Sequence, residues 1–307
     1  MIATFFAIHA IVIVNQTIKL MIINPLITTI MKKLLSILLM LTGAMIASAA
    51  TGDDSKLMGS WNYPVGTAIA DPEGVSVVLF PNSWKRSIDE GSDPAKQMMI
   101  YYDTNFVKAG EQMSTIRNFG DEYDIPNSLI IPFYKGAKAK KGDILLTWWQ
   151  SGSGMQRAIV VDDKNPEEPI VHYLDLGYEG DGSGMAERHD NEQLKPNSFI
   201  VLKDGTWMPG MQIMVAEGTD QMVGTIINAT DDKVLYMGFS TLHVARKVDC
   251  KLLPLKPSFS TGKEAKADFA GKYRTGYKVK KYNKKIGRVW VERDGDTKVM
   301  SIFEVVQ

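Results

Sequence analysis

Pro126-Asn127-Ser128-Leu129-Ile130-Ile131 returns seventy residues later as Pro196-Asn197-Ser198-Phe199-Ile200-Val201. Such an echo marks a repeated supersecondary unit, and it extends outward from the quoted residues. Gly142 follows the first copy and Gly210 the second, each leading an apolar run: Asp143-Ile144-Leu145-Leu146 or Met211-Gln212-Ile213-Met214-Val215. Residues 155–161 then lie opposite residues 222–228. An acidic turn comes next, Asp162-Asp163 or Asp231-Asp232, and residues 170–174 or 233–239 follow as a further strand.

A looser third copy is expected at the carboxyl end. Gly276-Tyr277-Lys278-Val279 opens it, Gly287-Arg288-Val289-Trp290-Val291 matches residues 224–227, and residues 298–306 supply the last strands. Asp294-Gly295 between apolar runs is a hairpin cue, because the tight turn needs positive φ at both central residues. The runs are short and β-branched, and long stretches of helical period are absent from residue 50 onward. The fold expected is therefore all-β. About five short strands per repeat hide their edges most economically by closing into small barrels in tandem. The expected divisions are an atypical β-rich region at 57–125, a first barrel at 126–195, a second at 196–256 and a partial third at 257–307.

Upstream, Met31-Lys32-Lys33 precedes an apolar run, residues 34–46, and then Ala47-Ser48-Ala49. A run of about 13 residues is short of the roughly 20 that span a bilayer. With a basic start and small residues at its end, residues 31–49 read as a secretory signal cleaved after Ala49. Residues 1–30 are expected to be a misassigned upstream extension. The destination is periplasmic or secreted, with no stable membrane anchor after cleavage. Without residues 1–49 the chain carries 32 basic and 35 acidic groups, net −3. That balance argues against nucleic acid as a partner. Cys250 is the single cysteine, so no internal disulfide forms.

One stretch carries a family likeness. Lys141-Gly142-Asp143, Trp148-Trp149, Ala158-Ile159-Val160-Val161, Asp162-Asp163 and Val171-His172-Tyr173-Leu174-Asp175 follow one another in an order that resembles a Tudor-type barrel. Tudor barrels are similar in fold to Src-homology-three-like barrels, and the resemblance implies a binding module rather than an enzyme. It covers about half of the mature chain. The later copies lack the paired tryptophans and the Tyr-x-Asp ending.

Candidate chemistry is sparse. Cys250 with His243 as base would need a closeness that seven residues of β-structure do not create, so Cys250 reads as a small core residue. No Gly-x-Ser-x-Gly or His-Glu-x-x-His occurs. Glu179, Asp181, Ser183, Gly184 and Asp190 resemble a calcium loop, but the first ligand is Glu, the last is the shorter Asp, and flanking helices are not evident. A solvated linker is the expectation. Glu187 and His189 are two ligands, too few for a metal site. No catalytic residue, metal or cofactor is expected.

The aromatic side chains are the better lead. Trp207, Tyr236, Tyr277 and Tyr282 recur along the copies, and Trp148, Trp149, Tyr173 and Trp290 are the expected ligand-binding residues. Adjacent Trp148 and Trp149 face opposite sides of a strand. One ring is expected in the core and the other in a surface groove near Tyr173. Charge is uneven: residues 162–192 hold ten acidic and two basic side chains, and residues 263–298 hold twelve basic and five acidic. The basic stretch reads as the wet face of an edge strand, with anionic polymer or acidic peptide as the alternative. The expected function is an exported, non-catalytic binding or scaffold protein holding a peptide, glycan or envelope protein. An envelope hydrolase with an unrecognised site, or an interaction subunit of an envelope complex, are the rivals.

Overall fold

Strand pairing repeats itself four times along the described residues. The computed structural model describes the backbone of residues 75–79 and residues 101–307 except 112, 119 and 240. The expected signal at 31–49, the extension at 1–30 and much of the region 57–125 lie outside them.

The first repeat comprises β1 (Val75–Leu79), β2 (Tyr101–Lys108), β3 (Met113–Asn118), β4 (Asp121–Pro126) and β5 (Ile130–Pro132). The second is β6 (Ile144–Trp148), β7 (Met155–Asp162), β8 (Ile170–Tyr173), β9 (Glu192–Gln193) and β10 (Ile200–Val201). The third is β11 (Gln212–Glu217), β12 (Asp220–Ala229), β13 (Lys233–Gly238), β14 (Thr241–Arg246) and β15 (Cys250–Leu252). The fourth is β16 (Glu264–Phe269), β17 (Lys272–Asn283), β18 (Arg288–Arg293), β19 (Asp296–Ser301) and β20 (Val305–Val306). In each, four antiparallel strands meander and the fifth pairs back onto the first. The protein is all-β in its described part.

Two local devices recur with the pairing. Gly142, Gly210 and Gly262 precede β6, β11 and β16 with φ of 84°, 88° and 80°. Each is the third residue of a β-turn closed by Asp143 N–H to Lys140 O (2.9 Å), Met211 N–H to Met208 O (3.2 Å) or Lys263 N–H to Ser260 O (3.2 Å). Positive φ at that position is nearly free only for glycine. The glycine N–H then reaches Val160, Ile226 or Val279 on the second strand of its own repeat, at 2.8, 2.8 and 2.7 Å. At that same residue the second strand shifts register against the third, as it also does after Phe106 in β2. Such bulges bend a strand and raise its twist, which curls a small sheet towards closure.

The pairings move the expected divisions by one strand. Ile130 and Ile131 pair with Val78 and Val77, and Ile200 and Val201 pair with Leu146 and Leu145. The Pro-Asn-Ser echo therefore sits at the closing strand of a repeat, not at its opening; divisions at 126 and 196 cut across the sheets, whereas the division at 257 falls between β15 and β16. The region 57–125 contains β1 to β4, whose pairing matches the other repeats. At the carboxyl end Gly262, not Gly276, occupies the turn before the first strand, and Gly276 lies inside β17. The Asp294-Gly295 turn is a hairpin with φ of 54° and 88°, joining Arg293 to Asp296.

Described residues all lie within one compact body, Asp54–Gln307. The third and fourth sheets merge where Met222 in β12 pairs with Lys272 in β17. A continuous apolar cluster runs from Tyr101 and Ile116 through Ile213 and Ile226 to Val291 and Val305. The second repeat has its own smaller core around Leu145, Val160, Val171 and Phe199. The repeats thus share buried surface, and the joints between them decide where polar groups and open volume remain.

Candidate functional site

The joint between the second, third and fourth repeats holds a cavity of about 550 Å³. Its wall brings Arg157 from β7, Asp175 after β8, Gln212 from β11, Asp268 from β16, and Phe303 and Glu304 just before β20. Tyr178, Phe239 and Arg288 also border it. No stretch of sequence holds more than two of these groups together, and three repeats must assemble before they meet.

Arg157 is the hub. Its Nη2 and Nε donate to the Asp175 carboxylate at 2.6–3.1 Å, and its backbone N–H donates to Asp175 Oδ2 at 2.6 Å. Nη1 donates to Gln212 Oε1 at 2.6 Å, and the guanidinium lies 3.8 Å from the Phe303 ring centre. Gln212 Nε2 passes the chain to Tyr273 Oη at 3.3 Å, and Tyr273 donates to Phe303 O at 2.7 Å. A buried arginine needs most of its donors answered, and this network answers Nε–H and one N–H on each Nη with planar, two-pronged geometry.

Two further carboxyls face the cavity in a different state. Burial pushes Glu304 above the usual carboxylate range, and Asp268 and Asp175 nearby add to the rise. Burial likewise raises Asp268, although the Gly271 and Lys272 N–H groups partly offset it. Ser301 N–H donates to Glu304 Oε2 at 2.7 Å and Gly271 N–H to Asp268 Oδ1 at 2.9 Å. Among the described residues neither carboxyl forms an ion pair with arginine or lysine within 4.0 Å. Two carboxyls held reluctantly anionic in one cavity favour a cation or a hydrogen-bond donor that enters it.

Arg288 pins the cavity's far wall. It is only 2% exposed, and donates to the carbonyls of Tyr173 (2.5 Å), Leu174 (3.1 Å) and Leu176 (3.0 Å) across the joint. Its Nε–H also donates to His172 Nε2 at 3.2 Å. Arginine cannot accept, so His172 Nε2 carries the lone pair and Nδ1–H donates to Asp190 Oδ1 at 2.9 Å. Burial lowers the His172 pKa; Asp190 opposes that shift, and Arg288 reinforces it.

The four sequence-predicted rings occupy other places. Trp148 and Trp149 do face opposite sides, but both sides are covered. Trp148 is 5% exposed and stacks on Phe133 of the first repeat, with ring centres 5.6 Å apart. Trp149 packs on the second repeat's own core, folds over Gly152 and meets His189 edge-on at 4.9 Å. Tyr173 is 0% exposed, and its hydroxyl accepts from Gln150 N–H at 3.0 Å. Trp148 and Tyr173 are buried and Trp149 is half-buried over Gly152, so none of the three borders the cavity where the repeats meet. Trp290 is half-buried behind Tyr178 at 6.2 Å, with Lys281 Nζ 4.4 Å from its ring centre. It touches a residue of the cavity wall without lining the cavity itself.

The calcium-like loop closes on an anion. N–H groups of Glu179, Gly180, Gly182 and Gly184 all donate to the Glu187 carboxylate at 2.9–3.2 Å. Burial acts to raise Glu187, and these four donors outweigh it and hold it below the usual range. Amides pointing inward repel a cation, and Asp190 is turned away to His172. Among the described residues no group of three His, Cys, Asp or Glu is placed to hold a metal. Cys250 Sγ–H donates to Arg246 O at 3.3 Å, and burial pushes its thiol up to about 11, the reverse of what a nucleophile needs.

No protein-family model matches the sequence, and no curated protein matches it. Among solved structures the chain is similar to the crystal structure of the ADCP1 tandem Agenet domain 3-4, a Tudor-like pair. The match covers 32% of this chain and 78% of that one, at 12% identity and a TM-score of 0.19. The resemblance to Tudor-like repeats is weak, and the strand pairings carry the description of the fold.

Proposed function

We propose that the chain is an exported, non-catalytic binding protein of the cell envelope, built from tandem small Tudor-like barrels behind a cleaved signal peptide. The five-strand pairing, the bulged second strand and the return of the fifth strand support closure of each repeat into a barrel. The single observation that carries the binding function is the cavity where three repeats meet, with Arg157, Asp175, Asp268 and Glu304 in its wall. A peptide segment carrying a basic side chain suits it best. The cation satisfies Asp268 and Glu304, and Gln212, Arg157 and the ring of Tyr178 meet its amides. Envelope-exposed tails or short peptides are the partners, in the periplasm or outside the cell.

The test is calorimetric titration of the purified protein with tri- to pentapeptides bearing lysine or arginine, beside the same peptides with that side chain acetylated or replaced by norleucine. Saturable binding of the basic peptides, at least tenfold weaker in Asp268→Asn/Glu304→Gln, is the expected result. Equal binding of neutral peptides, or no binding at millimolar concentration, overturns it. Chromatography of the peptides after incubation reads out the hydrolase alternative, because cleaved products would mark an enzyme.

A further inference from the structure

A second opening lies away from the central cavity and has the opposite chemistry. It is a groove of about 780 Å³ between the second repeat and the fourth. Ile144, Ile159, Val160 and Ile302 lie along it, with Tyr282 and Ile286 beside them. Ile144, Ile159, Val160 and Ile302 are buried core residues that form the floor of the groove, and the partly exposed apolar side chains along it are Val161, Tyr282 and Ile286. Its polar lining is almost wholly cationic: Lys141, Lys256, Lys284 and Lys285, with neutral Asn191 and no acidic side chain.

Those lysines are available. All four are exposed. Lys141 feels the Asp162 carboxylate, but Lys256, Lys284 and Lys285 enter no ion pair among the described residues. Lys280 and Lys281 of the same basic stretch are already engaged, by Glu292 at 2.9 Å and by the Trp290 ring. The cationic stripe at residues 263–298 therefore divides. Part of it decorates the sheet, and Lys284-Lys285 stands beside an apolar slot.

We infer that this groove binds the monomeric form of a single-chain anionic amphiphile, a long-chain fatty-acid carboxylate, with the acyl chain along Val161, Tyr282 and Ile286 above the Ile144–Ile159–Ile302 floor and the carboxylate among Lys256, Lys284 and Lys285. The size is that of a small-molecule site, and apolar walls with a few convergent charges are what such sites need. An aliphatic chain gains from every methylene it buries, and the carboxylate needs cations left unpaired by the protein's own acids. A cationic amphiphile meets four lysines, and a zwitterionic peptide finds no carboxylate here. This site is independent of the peptide cavity and shares none of its wall.

Calorimetric titration of the purified protein with sodium octanoate, dodecanoate and hexadecanoate below their micelle concentrations tests it. Dodecanol and dodecyltrimethylammonium serve as charge controls. The expected result is one saturable site, tightening roughly tenfold for each added pair of methylenes. Lys256→Glu/Lys284→Glu/Lys285→Glu should weaken alkanoate binding at least tenfold while the melting temperature stays unchanged, because those side chains are exposed. Ile286→Gln should weaken hexadecanoate more than octanoate. Three outcomes overturn the inference: affinity independent of chain length, dodecyltrimethylammonium binding as tightly as dodecanoate, or binding only to phosphatidylglycerol vesicles and not to monomers. Loss of peptide binding in Asp268→Asn/Glu304→Gln leaves this titration unaffected.

Discussion

The joint between the first and second repeats and the joint among the second, third and fourth are built from the same kind of strand pairing, yet one is filled by rings and the other by charged groups. Trp148 on Phe133 fills the first with two rings. The second is held by Arg157 and Arg288, whose donors reach carbonyls, Gln212 and Asp175, and it keeps an open volume. Stacked ring faces fill space and need no hydrogen-bond partner across them. Guanidinium groups must be answered on every side, and the answering groups cannot pack as densely as an apolar core. Among the described residues the cavity and the lysine-lined groove lie between repeats, and the character of each joint decides what can enter.

Substitutions sharpen that contrast. Trp148→Ala removes the larger ring of the ring-filled joint and should cost about 3–5 kcal/mol in urea denaturation. Trp290→Ala, at a half-buried ring, should cost about 1 kcal/mol or less. If the two cost the same, the first joint is not the tightly filled one.

Arg157→Met should cost about 3 kcal/mol, because it leaves Asp175 and Gln212 without their shared donor. Asp175 retains some exposure, which keeps the effect at the low end of the range for a broken buried pair. The double variant Arg157→Met/Asp175→Leu should recover part of that loss. A double variant worse than the sum of its parts would mean the pair itself, rather than the orphaned charge, sets the cost.

Acid should loosen the charged joint through His172. Its folded pKa lies below its ordinary 6.5, so its contribution is complete above about pH 6.5 and is lost as pH falls through the depressed folded value. Protonation puts an N–H where Arg288 Nε–H needs an acceptor. The melting temperature of the wild type should therefore fall more steeply between pH 6.5 and 5 than that of His172→Gln. Parallel curves would remove His172 from the joint's energetics.

The smallest effect has the opposite sign. Glu304 and Asp268 have folded pKa values above their unfolded ones, so they favour the folded state more as pH falls through those raised values. Glu304→Gln keeps an oxygen for Ser301 N–H and should stabilise the protein at pH 7 by about 0.5 kcal/mol. The gain should vanish near pH 4, where the glutamate is itself neutral. A destabilised variant at pH 7 would show that Glu304 is anionic and paired in the folded protein.

The strand pattern was legible because β-structure writes itself locally. A glycine forced to positive φ, a β-branched run and an acidic or Asp-Gly turn are properties of neighbouring residues: Gly142 and Gly210 lead their strands as expected, and Asp294-Gly295 makes the expected turn. Register was less legible. The Pro-Asn-Ser echo is an identity of sequence, and sequence alone does not tell a closing strand from an opening one. Only the pairing of Ile131 with Val77 does. The first repeat escaped recognition because 21 residues, 80 to 100, separate its first strand from its second, whereas the corresponding interval in the other three is six residues or fewer.

By itself the sequence determined an all-β chain with recurring units, alternation that sends Trp148 and Trp149 to opposite faces, and a basic stretch near the end. It did not determine which faces would be covered. Burial of a ring depends on what another repeat lays against it, and Phe133 lies fifteen residues before the tryptophan it covers. Arg157, Asp175, Gln212 and Glu304 look unremarkable one by one, spread over nearly 150 residues. Their meaning comes from long-range contact: a charge's energy is set by the dielectric and the partners around it, and those exist only once the repeats have closed on one another.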